Sequence, residues 1–154
     1  MTKLTFRRAT KDDVPDIVAL MADDVLGAAR EQNGPVLPEA YFSAFAAIDA
    51  DECQFLAVVE ESGRPVGTMQ LTFLPYLGRV GAWRGQVEAV RVASDRRGEG
   101  IGEAMMAWAI ERCRERGCGI VQLTSDKARP DAHRFYERLG FSASHVGFKL
   151  DLRG

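Results

Sequence analysis

A chain of 154 residues with 46% hydrophobic and 27% charged side chains has the size and make-up of one globular domain with a full core. Its formal net charge of -2 supplies no global field for nucleic acid, so any anion site must be local. Three cysteines without a C-x-x-C pair and two histidines argue against a metal centre, and no apolar run approaches the ~18 residues of a membrane span. The expectations are a cytoplasmic protein with no metal, no nucleic-acid partner and no membrane association, in which Cys53 and Cys113 sit on apolar positions and read as core.

Leu4-Thr5-Phe6-Arg7-Arg8 alternates and reads as a first strand, with Met1-Thr2-Lys3 leading into it. Thr10 then serves as an N-cap, with Asp12 and Asp13 in the first turn of a helix carrying Ile17, Val18, Leu20, Met21 and Val25 as far as Gly27. Residues 27–37 read as loop, and a second helix starts near Pro38 with Tyr41, Phe42, Phe45 and Ile48 on one side. Residues 54–59 and 65–73, joined by the turn Glu61-Ser62-Gly63-Arg64, form a hairpin. Residues 74–85, with Tyr76 and Trp83, make a long irregular connection to a strand at 86–92. A helix starting near Ile101 buries Ala104, Met105, Trp108 and Ala109 and ends at Gly117. Residues 119–124 form a strand, and Pro130 opens a helix with Ala132, Phe135, Tyr136 and Leu139 that Gly140 caps. Phe141 and residues 145–150 supply the final strands, which completes a mixed α/β sheet with helices on both faces, one domain over residues 1–154.

The most telling segment is Arg96-Arg97-Gly98-Glu99-Gly100-Ile101-Gly102, between the strand at 86–92 and the helix after it. Alternating glycines remove side chains where strand turns to helix, so several backbone N–H groups can point outward together. The helix N-terminus adds about half a positive charge. Taken alone, such a turn suits a pyrophosphate or merely redirects the chain. A Walker loop needs Lys followed by Ser or Thr, whereas Gly102 is followed by Glu103 and Ala104. A dinucleotide fingerprint needs G-x-G-x-x-G, whereas these glycines stand at 98, 100 and 102.

Arg97-x-x-Gly100-x-Gly102, preceded by Val90-x-Val92 and followed by a helix, resembles the pyrophosphate-binding motif of the GNAT N-acetyltransferase superfamily. A second segment, Ala132-His133-Arg134-Phe135-Tyr136-Glu137-Arg138-Leu139-Gly140-Phe141, resembles that family's A-x-x-[LF]-Y-x-x-x-G-F signature. The resemblance is strong over residues 86–141 and looser over the N-terminal third. It implies the acyl-CoA N-acyltransferase fold: a twisted, mostly antiparallel sheet of about seven strands with helices on both faces. It further implies acetyl-CoA as co-substrate, direct attack by a primary amine in a ternary complex, and a homodimer.

Residue by residue, the resemblance assigns the N–H groups from Arg97 through Gly98, Glu99, Gly100, Ile101 and Gly102 to Glu103 to the pyrophosphate, with Arg96 at the entrance. The backbone of Val92 would pair with the pantetheine arm, and Arg91 lies between it and Val90. The Val90 N–H would lie near the thioester carbonyl, where such a donor is worth about 3 kcal/mol. Ser125 is a candidate pantetheine contact. Many relatives carry Asn where this chain has Arg129, which, with Lys127, either touches phosphate or stays solvated.

Glu88 is the candidate general base and, by strand alternation, shares a side with Val90 and Val92. A carboxylate is a weak base for an ammonium, so this role requires burial or a water relay; the other reading is a partner for a cationic substrate or for Arg91. Tyr136 is the candidate general acid for the departing thiolate, or a ring that packs on the thioester end. Tyr41, Tyr76 and Trp83 would line an aromatic acceptor cleft beside Glu88 suited to a small primary amine, although such residues equally suit a core or a dimer face. Two other classes stay open: a protein or peptide N-acetyltransferase, and a non-catalytic acyl-CoA sensor, against which the presence of both Glu88 and Tyr136 argues.

Overall fold

Phe6, Phe55 and Trp108 meet on one side of a sheet, with Phe6 and Trp108 stacked at 5.3 Å and Phe55 edge-on to Trp108 at the same distance. The sheet belongs to a computed structural model that describes residues 3–153; Met1 and Thr2, read as leading into the first strand, lie outside the described residues. Its strands are β1 (Leu4–Arg8), β2 (Gln54–Glu61), β3 (Arg64–Leu74), β4 (Trp83–Val92) and β5 (Cys118–Leu123), side by side in chain order. The pairings β1–β2, β2–β3 and β3–β4 are antiparallel. Ser62 and Gly63 turn the β2–β3 hairpin with φ of 52° and 77°, the left-handed pair that matches strand twist and sets Glu61 opposite Arg64.

Helices cover both faces. α1 (Val14–Ala22) and α3 (Glu39–Ala50) bring Val14, Ile17, Val18 and Phe45 against Val58 and Leu56. α5 (Ile101–Glu115) takes the opposite face, with Met105, Met106, Ala109 and Cys113 fully buried beneath it. Each of the two methionines contributes about 1.5–3 kcal/mol of burial. Thr10 is an N-cap, as the sequence predicts, but of a 3-10 turn (Lys11–Asp13) that leads into α1, and its N–H donates to the Asp13 carboxylate at 2.7 Å.

Three elements differ from the sequence expectation. The first helix, expected to run to Gly27 with loop beyond it, stops at Ala22, and a separate α2 (Val25–Arg30) forms because the Asp24 carboxylate accepts from the Gly27 N–H and caps it, which leaves Val25 exposed. The connection from β3 to β4 holds a single turn, α4 (Gly78–Gly81), with Arg79 and Val80 left-handed. The sheet has five strands among the described residues, not about seven: Phe141 and residues 145–150, expected as strands, join no ladder, and residues 142–153 are exposed. Their alternation is genuine, but a strand is completed by a partner, which sequence alone does not supply.

The chain divides after Gln122 into two compact units. The second contains α6 (Pro130–Arg138), which opens on Pro130 as expected. At its end the Phe141 N–H donates to the Tyr136 carbonyl (3.1 Å) and the Gly140 N–H to the Glu137 carbonyl (3.0 Å), with Gly140 at φ 98°. This is a Schellman cap, and the rings of Tyr136 and Phe141 supply its apolar contact at 5.9 Å. The Y-x-x-x-G-F run is thus, locally, a device that stops a helix and holds a tyrosine.

Candidate functional site

The turn between β4 and α5 is built from backbone. Gly98 and Gly100 take φ of 80° and 83°, and Gly100 is the left-handed N-cap of the 15-residue α5, whose first turn no side chain caps. A Cβ added at either glycine meets nothing within 4 Å, so the space before the helix N-terminus is open. Ile101 is buried and fixes the first turn, while Gly102 and Glu103 carry the next N–H groups, which lack intrahelical partners by construction. A bound pyrophosphate suits such an open, dipole-assisted array.

The two arginines at its entrance have partners within the fold. Arg96 pairs with Glu61 through both terminal nitrogens and donates through Nε to Glu99 at 2.6 Å. Arg97 donates to the carbonyls of Asp23 (2.7 Å) and Val92 (3.2 Å). With the Ser94 N–H on the Asp23 carboxylate at 3.0 Å, these bonds fasten the turn to the end of α1. Arg91 lies 3.8 Å from Asp24 and donates to the Val90 carbonyl.

A bulge in β4 sets the direction of every side chain here. Thr68 faces Arg91 and Gln70 faces Glu88, so Met69 alone on β3 spans Ala89 and Val90 on β4. Ala89 absorbs the extra residue with φ 52°, an uncommon conformation for a residue other than glycine. Gly67 is opposite Val92 and Gln70 opposite Glu88; being three apart on β3, they point to opposite faces. The expected alternation therefore fails: Glu88 and Val92 project from opposite sides, and Glu88 shares its side with Arg91 instead.

Glu88 is exposed, and its partner is the Gln86 carboxamide, whose Nε2 lies 2.9 Å from Oε1. The burial that a role as direct base would require is absent here. On the same face Gln54 accepts from Gln70 (2.8 Å) and Thr72 (2.9 Å), which makes the sheet polar across three strands.

The aromatic residues expected to line one cleft have separate engagements. The Tyr41 hydroxyl donates to Glu31 and accepts from the Gln32 N–H, both at 2.9 Å, and burial pushes its ionisation up. The Arg84 guanidinium covers a face of Tyr76, 3.5 Å from the ring centroid. Trp83 is 38% exposed. Two shallow grooves, about 540 and 550 Å³, are lined by Lys11, Glu39 and Phe42 and by Asp23, Arg64 and Ser94 among others; neither is lined by Glu88, Tyr76 or Trp83.

In the second unit, Tyr136 is half-buried between Phe135 (5.1 Å) and Phe141. Arg129 precedes α6, its N–H on the Asp126 carbonyl at 3.0 Å, and Ser125 is half-buried just before. His133 reaches the same Asp126 carbonyl at 2.9 Å and so braces the helix start.

Residues 21–141 match the Acetyltransferase (GNAT) family. The chain belongs to the GNAT acetyltransferases. It is 49% identical to a transcriptional regulator from Bacillus halodurans C-125, whose crystal structure superposes with a TM-score of 0.94 over 97% of this chain and 100% of that one. It is 30% identical to the aminoalkylphosphonate N-acetyltransferase of Salmonella typhimurium over 92% of this chain and 87% of that protein. The glucosamine 6-phosphate N-acetyltransferase of Trypanosoma brucei brucei is 38% identical over 60% of this chain and 61% of its own length. This GNAT protein is an N-acetyltransferase, and among its described residues no helix is long and apolar enough to cross a membrane.

Proposed function

We propose that this N-acetyltransferase carries the acetyl group of acetyl-CoA to the primary amine of a small molecule, by direct attack with both substrates bound, in one domain that works in the cytoplasm as a homodimer. The observation that carries the donor side is the open glycine turn at the N-terminus of α5, where the backbone from Arg97 to Glu103 would hold the pyrophosphate. Val90 and Val92 would hold the acyl-bearing arm from the bulged end of β4, Ser125 would contact the pantetheine, and Arg129 would reach a phosphate. Acetyl-CoA supplies the activated acyl group. Glu88 accepts the amine's proton through water, in keeping with its exposure, and Tyr136 protonates the departing thiolate. Tyr41, Tyr76 and Trp83 shape the acceptor side, Tyr41 by fixing the segment between α2 and α3.

The relatives named for aminoalkylphosphonate and glucosamine 6-phosphate support a small amine that also bears a phosphorus oxyanion. The 49% identical regulator favours a second reading, an acyl-CoA sensor. Thiol release from acetyl-CoA, followed with 2-aminoethylphosphonate, glucosamine 6-phosphate, polyamines, amino acids, aminoglycosides and peptides, separates them. Release with a phosphorylated or phosphonylated amine is the expected result. Release with peptides alone would replace the reading with a protein acetyltransferase, and binding of acetyl-CoA without any acceptor-dependent release would leave the sensor.

A further inference from the structure

Arg84, Gln86 and Glu88 alternate along β4 and project from one face, and Gln122 on the neighbouring β5 stands between the first two. Arg84 Nη1 donates to Gln122 Oε1 (3.2 Å), Gln122 Nε2 to Gln86 Oε1 (3.0 Å), and Gln86 Nε2 to Glu88 Oε1 (2.9 Å). A carboxamide can point either way, but here neither has the choice. The guanidinium only donates, so it fixes the Gln122 carbonyl; that amide then turns its NH₂ to Gln86, and Gln86 turns its own to a carboxylate that only accepts. Tyr76 beneath the Arg84 guanidinium anchors the far end. All three members behind Glu88 are half-buried, whereas Glu88 itself is exposed.

We infer that Gln86 and Gln122 are positioning residues for the transfer reaction: a one-directional carboxamide relay, set by Arg84, that pins Oε1 of Glu88. The relay leaves Oε2, which has no partner among the described residues, to the acceptor ammonium or to the water that takes its proton. The bulge at Ala89 ends the alternation immediately after Glu88, so the relay delivers its last bond at the final position before the strand changes face. A long exposed glutamate otherwise samples many rotamers, and holding one raises the fraction of encounters with the carboxylate in place. This inference rests on the role given to Glu88 above.

Two measurements test it. Without substrates, the side-chain NH₂ signals of Gln86 and Gln122 are followed by NMR in the whole protein. Glu88→Leu is expected to shift both, although Gln122 does not touch Glu88; an unmoved Gln122 signal would overturn the relay. In the second, 2-aminoethylphosphonate and acetyl-CoA are the substrates. Glu88→Gln is expected to lower kcat about 100-fold, and Gln86→Leu about 10-fold with the KM for acetyl-CoA unchanged. Gln86→Leu added to Glu88→Gln should cost nothing more, because both act through one carboxylate. A merely structural Gln86 would lower the rate equally in both backgrounds and so defeat the inference. If Glu88→Gln is itself harmless, the role of Glu88 fails and the relay's purpose with it; if Glu88→Gln is severe while Gln86→Leu is silent, only the relay fails.

Discussion

Asp13 links three chain segments through one carboxylate. It receives both terminal nitrogens of Arg7 at 2.7 and 2.8 Å and caps the Thr10 N–H, while Arg7 also reaches Glu60 at 2.7 Å. Hydrogen bonds from Arg7 hold its carboxyl well below the usual range, at about 2 against 3.8. The folded value lies below the unfolded one, so the stability it lends is complete above about pH 4 and drains away as the pH falls towards 2. With Arg7 one-third exposed, about 1–2 kcal/mol is a reasonable size. Urea unfolding should therefore show Asp13→Asn less stable than wild type by that amount at pH 7, with the gap closing between pH 4 and 2.5. A gap that persists in acid would contradict the assignment. Tyr136 poses a different question, because its ring serves the cap of α6 whatever its hydroxyl does. Tyr136→Phe keeps the ring contacts with Phe135 and Phe141. The expected outcome is a fall in turnover of about 10-fold or more, with acetyl-CoA affinity little changed. An unaltered rate removes the hydroxyl from the chemistry.

At the scale of elements, the packing of α5 on β4 depends on one glycine. A Cβ at Gly85 would collide with the buried Sγ of Cys113, so helix and strand approach more closely than any side chain permits. Burial also pushes the Cys113 thiol up to about 11, which makes it a packing group with little thiolate character. Gly85→Ala should cost about 1–3 kcal/mol in thermal unfolding, and Cys113→Ala in the same chain should recover part of that loss. Independent, additive losses would mean that the two residues do not share the contact. The same elements show what sequence makes legible. Apolar periodicity located β1, the β2–β3 hairpin and α5, and Gly140 announced the end of α6, because each signal sits within its own element. The Ala89 bulge had no such signal, since its left-handed residue is not a glycine; the reading of Glu88 on the same side as Val92 failed for that reason. The relay behind Glu88 was equally hidden: Arg84 and Gln86 alternate with it, but Gln122 joins from 36 residues away. Arg96 and Arg97 were visible as cations at the turn, while their partners Glu61 and Asp23 came from distant strands and helices.

The whole molecule sets a fully buried core beneath α5 against an apolar strip left in water. Met69, Leu71, Val87, Met105 and Met106 are essentially inaccessible, whereas Val146, Phe148, Leu150 and Leu152 are 64%, 92%, 85% and 89% exposed. Hydrophobicity alone would rank Phe148 above Met105 as a stabilising residue; burial reverses the order, because only area removed from water contributes. Met105→Ala deletes a side chain packed against Gly67 and leaves a cavity, at a cost of about 2–5 kcal/mol. Phe148→Ser deletes a larger side chain that touches mostly solvent, and should change stability by less than about 0.5 kcal/mol. Urea unfolding of both variants at submicromolar concentration compares them directly. A loss at Phe148 approaching that at Met105 would show the strip to be covered in solution. If that loss also grew with protein concentration, the cover would be a second copy of the chain, because only association makes stability depend on concentration.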